Sequence, residues 1–81
     1  MKVTVKLFAA ARELAGVDAL VVEAPDGATA AEVRAALVQV EPRLASLAGA
    51  SLLAVNTEYA GETTPVGPDD DVALIPPVSG G

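Results

Sequence analysis

The sequence predicts an α+β domain, a mixed sheet with one principal helix packed across it and short helical turns. Three observations carry this. Val3, Val5 and Leu7 alternate with Lys2, Thr4 and Lys6, which is the period of a strand with one buried face. Thr29-Ala30-Ala31-Glu32 has capping-box spacing at the head of an apolar stripe, which marks a helix start. Two short apolar runs, 51–55 and 72–75, have strand length and are bounded by turn residues.

After the first strand, Ala9-Ala10-Ala11-Arg12-Glu13-Leu14-Ala15 is rich in helix formers, and Gly16 stands where a C-terminal cap belongs. A short helical turn is expected there, with Arg12 either capping that turn or meeting a carboxylate. Residues 19–24 carry Leu20, Val21 and Val22 and end at Pro25-Asp26-Gly27, a second strand closed by a turn that forms a hairpin with the first. Val33, Ala36, Leu37 and Val40 recur at helical spacing until Pro42 stops the pattern. Residues 42–48 predict another helical turn ending at Gly49. Ser51 to Val55 reads as a central strand with a turn at Asn56, and 58–66, interrupted by Gly61 and Pro65, as a short edge strand with loops. Val72-Ala73-Leu74-Ile75 is the last strand. Pro76 and Pro77 lack amide donors and end its ladder. This order of elements fits a ubiquitin-like β-grasp over residues 1–77, followed by a flexible tail at 78–81.

Composition limits the chemistry. The chain's 81 residues suit one domain, and 52% apolar content with only Phe8 and Tyr59 aromatic implies a core of aliphatic side chains. A formal charge of -6 is opposite to the basic footprint of a nucleic-acid binder; it favours solubility and steering toward a basic protein surface. Charges interrupt the first six residues, and no apolar run is long enough to span a bilayer, so a soluble cytoplasmic protein without a membrane partner is expected. The absence of both His and Cys removes disulfides, thiol chemistry, side chains titrating near neutrality and the usual transition-metal ligands. Asp69-Asp70-Asp71 has hard-cation chemistry in principle. Neighbouring strand residues point to opposite faces, however, and Gly67-Pro68 before them signals a turn. No metal site and no bound cofactor are expected.

The remaining chemical candidate is the tail Val78-Ser79-Gly80-Gly81. Glycines leave no side-chain bulk beside a terminal carboxylate, so an extended chain of roughly 13–14 Å can enter a narrow slot in another protein. A Gly-rich end with no function is the alternative.

Leu7-Phe8-Ala9, Arg12-Glu13-Leu14-Ala15-Gly16, Leu53-Ala54-Val55-Asn56 and Pro76-Pro77-Val78-Ser79-Gly80-Gly81 resemble, in order and across nearly the whole chain, the patterns of the molybdopterin synthase small-subunit family. Ser79 stands where many relatives have Thr. The resemblance implies a sulfur carrier that is not catalytic alone. An ATP-dependent adenylating enzyme activates the Gly81 carboxylate, a sulfur donor system converts it to a thiocarboxylate, and the large catalytic subunit of molybdopterin synthase uses it to sulfurate cyclic pyranopterin monophosphate in molybdenum cofactor biosynthesis. Val78, Ser79 and Gly80 thread the tail. Phe8, Tyr59 and Ile75 match family interface positions, although ordinary sheet packing accounts for them equally. Two other readings keep the terminal chemistry: a thiamin-pathway sulfur carrier, and a ubiquitin-like modifier that forms isopeptides with lysines.

Overall fold

A computed structural model describes residues 1–77. The expected tail at 78–81 lies outside the described residues. Strand β1 (Lys2–Leu7) buries every second residue, as its alternation requires. Helix α1 (Ala9–Ala15) ends at Gly16, whose φ of 75° is the left-handed cap geometry that glycine adopts without strain, with its N–H donating to the Arg12 carbonyl at 2.8 Å. Strand β2 (Ala19–Glu23) then pairs antiparallel with β1, from Lys2↔Glu23 to Lys6↔Ala19.

Helix α2 (Ala30–Val40) begins at the expected capping box. The Thr29 hydroxyl accepts from the Glu32 N–H at 3.3 Å, and the Glu32 carboxylate accepts from the Thr29 N–H at 3.0 Å. Val33 and Leu37 are fully buried, but Val40, assigned by spacing to the same stripe, is 48% exposed. Val40 is the last residue of the helix, and buried Leu44, on the 3₁₀ turn Pro42–Leu44 that follows, packs into the core instead. Helix α3 (Ala45–Ala50) runs through Gly49 rather than stopping there. Its end is held by Ser51, whose hydroxyl donates to the Leu47 carbonyl at 2.6 Å.

Strands β3 (Leu52–Val55), β4 (Glu58–Ala60) and β5 (Val72–Ile75) complete one five-stranded sheet in the order β2-β1-β5-β3-β4. The last strand is thus central, parallel to β1 and antiparallel to β3, the mixed β-grasp arrangement. The edge strand is shorter than 58–66. After Ala60 the chain crosses back over the α2 entrance, where the Thr64 and Glu62 carbonyls accept from Ala30 and Ala31 and Val66 inserts into the core. These bonds satisfy helix N–H groups that have no partner within the helix.

The core lies on the helix-facing side of the sheet: Val3, Val5, Leu7, Val22, Leu53, Val72 and Leu74 meet Ala11, Val33, Leu37 and Leu44. Among the described residues, the opposite side carries no helix. That open side holds the candidate site.

Candidate functional site

Register decides what the open side presents. Lys6 lies beside Ala73, Ala73 beside Ala54, and Ala54 beside Tyr59, one row running across β1, β5, β3 and β4. The two alanines keep the row low between the longer Lys6 and Tyr59 side chains. Ile75 projects two residues beyond Ala73 on the same side, with Leu52 opposite it. Phe8 follows β1 directly in extended conformation at the entrance of α1. Lys6, Phe8, Ala54, Tyr59, Ala73 and Ile75, with Thr57 and Asp71, line a shallow hollow of about 370 Å³.

Phe8, Tyr59 and Ile75, singled out from sequence and separated by up to 67 positions, therefore share one hollow. Phe8 is 46% exposed and Tyr59 71% exposed, so neither belongs to the buried core, and Ile75 is half-buried. Ile75 leads directly to Pro76, Pro77 and the segment 78–81, so the hollow lies at the base of the tail. Val78, Ser79, Gly80 and Gly81 lie outside the described residues.

The wall opposite the Ile75 end is built by polar clips. The β3–β4 turn has φ of 53° at Asn56 and 69° at Thr57, the left-handed pair of a two-residue hairpin loop. Asn56 joins this turn to the Asp69–Asp71 loop: its amide donates to Asp70 at 2.9 Å, its carbonyl oxygen accepts from the Asp71 N–H at 2.9 Å, and its N–H donates to the Asp71 carbonyl at 2.8 Å. Asp70 also accepts from the Gly67 N–H at 2.7 Å. That backbone bond first, and the Asn56 amide second, hold its carboxyl below the usual aspartate range. Asp71 forms an ion pair with Lys6 at 3.1 Å inside the hollow. The acidic run is thus turn chemistry in part, and among the described residues no His, Cys, Asp or Glu cluster is arranged to hold a metal ion.

Sequence reasoning missed Lys6, Ala54, Thr57, Asp71 and Ala73 as parts of the hollow. Strand periodicity places Lys6 on the open face, but its adjacency to Ala73 depends on β5 inserting beside β1. A second, smaller hollow of about 280 Å³ adjoins the first through Lys6 and Phe8 and is lined also by Leu7, Arg12, Asp18 and Ala19. Arg12 lies in the last turn of α1 with its guanidinium 3.9 Å from Asp18, so it meets a carboxylate while occupying the capping end of the helix. Among the described residues, no helix is long and apolar enough to cross a membrane.

The arrangement offers a shallow surface beside the end of β5. Comparison with known proteins agrees in kind. The ThiS family model matches residues 5–81. The molybdopterin synthase sulfur carrier subunit of Arabidopsis thaliana is 40% identical over 81 residues, covering all of this chain and 84% of that protein. The subunit of the same name from Haemophilus influenzae is 42% identical over 95% of this chain and 96% of its own length. Among solved structures, SAMP1 from Haloferax volcanii superposes with a TM-score of 0.88 at 30% identity over the full length of both chains. A complex of subunits 1 and 2 of the molybdopterin-converting factor from Helicobacter pylori matches with a TM-score of 0.69 at 27% identity, again over both full lengths. On this evidence the chain belongs to the ThiS family, as a β-grasp relative of the molybdopterin synthase sulfur carrier subunits.

Proposed function

We propose that this protein is a cytoplasmic sulfur-carrier subunit of molybdopterin synthase, with the Gly81 carboxylate as its working group and the Phe8–Tyr59–Ile75 hollow as its docking surface. The observation that carries the reading is the hollow itself. Three residues distant in sequence line one apolar-edged depression at the point where β5 hands over to the tail, in a chain similar along its length to relatives bearing that name. Likeness to one member of a two-subunit complex supports a large subunit as the occupant.

The chemistry follows from what a carboxylate lacks. It is a poor electrophile, so an adenylating enzyme first lets a Gly81 oxygen attack the α-phosphorus of ATP, with pyrophosphate leaving. A donor supplying sulfur at the sulfide level then displaces AMP and leaves a terminal thiocarboxylate. In the large subunit that sulfur attacks a side-chain carbon of cyclic pyranopterin monophosphate and displaces an oxygen substituent there, and water then cleaves the resulting acyl thioester, leaving the sulfur on the pterin and regenerating the carboxylate. Acid–base groups come from the partners, since this chain has neither His nor Cys. Its own contribution is to hold the reacting end in register, which proximity makes valuable.

Incubation with the activating enzyme, ATP and a sulfur source, followed by intact mass, tests the reading. The expected product gains the mass of one oxygen replaced by sulfur, is absent without ATP, and is not formed by the chain lacking Gly81. Loaded protein plus large subunit should then convert the pterin precursor, while either alone should not. Full loading of the Gly81-deleted chain, or turnover by this chain alone, would overturn it.

A second reading, a ubiquitin-like modifier, is favoured by likeness to a structure described as H. volcanii small archaeal modifier protein 1, with a TM-score of 0.85 at 30% identity. Thiol-resistant conjugates to lysines of other proteins would support it over the carrier reading.

A further inference from the structure

We propose that the hollow is a polarised docking surface whose partner brings apolar side chains to its Phe8–Ile75 end and a basic side chain to its Asp71 end. The inference rests on the docking role proposed above and names the partner chemistry that role requires. Along β5, read against the chain direction, the open face changes character within five residues. At the tail end stand Ile75, Phe8 and, opposite Ile75, half-exposed Leu52. The small pair Ala73 and Ala54 follows, flanked by Lys6 and Tyr59. Asp71 and Thr57 close the hollow, and Asp69 continues the exposed acidic loop beyond it.

Charge in this loop is fixed in place but weakly compensated. The clip through Asn56 and Gly67 holds Asp70 and the Asp71 backbone. The Asp71 carboxylate is left to Lys6, in a pair whose side chains are both more than half exposed. An exposed pair of this kind is readily exchanged for another cation. Four of the five cationic side chains are already paired within the chain, Lys6 with Asp71, Arg12 with Asp18, Arg34 with Glu62 and Arg43 with Glu41, and the molecule carries a net charge of -6. A partner arginine or lysine at the Asp71 end therefore meets an accessible, preoriented carboxylate in a favourable long-range field. A partner seated the other way round sets its basic group over Phe8 and Ile75 and buries Asp71 against apolar surface, which is unfavourable at both ends. Polarity thus selects one orientation of the partner on the hollow.

The test uses the large subunit of molybdopterin synthase as probe and measures association rate and Kd at low and high ionic strength. The proteins are wild type, the double variant Asp69→Asn/Asp71→Asn, and Lys6→Gln; Asp70 is kept because it holds the loop, and thermal unfolding checks that each variant is folded. Wild-type association should slow as salt rises. The double variant should lose about five- to tenfold in low-salt association rate, with the deficit shrinking at high salt. Lys6→Gln should bind at least as well as wild type, because it removes the internal competitor for Asp71. Loss of binding by Lys6→Gln with no effect of the double variant would overturn the assigned polarity. A wild-type complex insensitive to salt and to all three substitutions would overturn this inference alone, whereas no complex at any salt would overturn the docking role with it.

Discussion

Thr57 holds a φ of 69° in the wall of the hollow, a conformation that a β-branched residue adopts only under strain. The two-residue turn it shares with Asn56 favours glycine at the second position. Thr57→Gly is therefore expected to stabilise the free protein by about 0.5–1 kcal/mol in urea unfolding, relief of strain outweighing the added chain entropy of glycine. Asp70 acts at the same end of the sheet through its charge. Hydrogen bonds from Gly67 and Asn56 hold its carboxyl below the ordinary value of 3.8, so its stabilisation is present at neutral pH and disappears as pH falls below 3.8 through its lower folded value. Asp70→Asn should make the protein less stable at pH 7 and flatten the acid limb of its stability profile, measured by thermal unfolding at a series of pH values. An acid limb as steep as that of wild type would show that the clip does not depend on the ionised carboxylate.

Elements with their own local signals were legible in the sequence, and those defined by distant partners were not. The α2 start was readable because its cap is a local pair, Thr29 and Glu32, that needs nothing else to form. Thr29→Ala removes the hydroxyl acceptor and should cost about 1 kcal/mol in chemical denaturation, while Leu37→Ala, on the buried face of the same helix, should cost about 2–5 kcal/mol by leaving a cavity. Val40 satisfied the same periodicity as Leu37 yet is exposed, because periodicity specifies a face and not where the covered surface ends. Leu44 continues the helical spacing seven residues after Leu37, but Pro42 ends the helix between them, so its core contact is made from a 3₁₀ turn and not from the helix. Val66 was missed for a related reason: it is anchored by a bond from its N–H to the Ala28 carbonyl, 38 residues away in the chain. The central place of β5 was also hidden, since its four residues would suit an edge equally well by composition.

At the scale of the whole molecule, the proposed function divides labour between a structured surface and a chain end, and the two should fail in different ways. Phe8, Tyr59 and Ile75 could be named from the family resemblance, but only the sheet order shows that they line one hollow beside the handover to Pro76 and Pro77. Tyr59 is 71% exposed, so Tyr59→Ala should change the stability of the free protein by less than about 0.5 kcal/mol. An aromatic that becomes buried on docking carries a large share of binding, so the same substitution should weaken the complex with the large subunit by about tenfold or more. At saturating partner, transfer from the Tyr59→Ala protein should approach the wild-type rate. Gly80→Ala should do the reverse. Gly80 lies outside the described residues, and the expectation comes from the proposed threading alone: one added methyl excludes backbone angles open to glycine and misplaces the reacting carbon. Binding should remain within a few-fold of wild type, since the hollow is untouched, while single-turnover loading or transfer falls by about tenfold or more even with partner in excess. Equal transfer rates for Gly80→Ala and wild type would remove the narrow slot from the mechanism, and a parallel loss of binding and rate in both variants would mean that surface and tail do not act as separable parts.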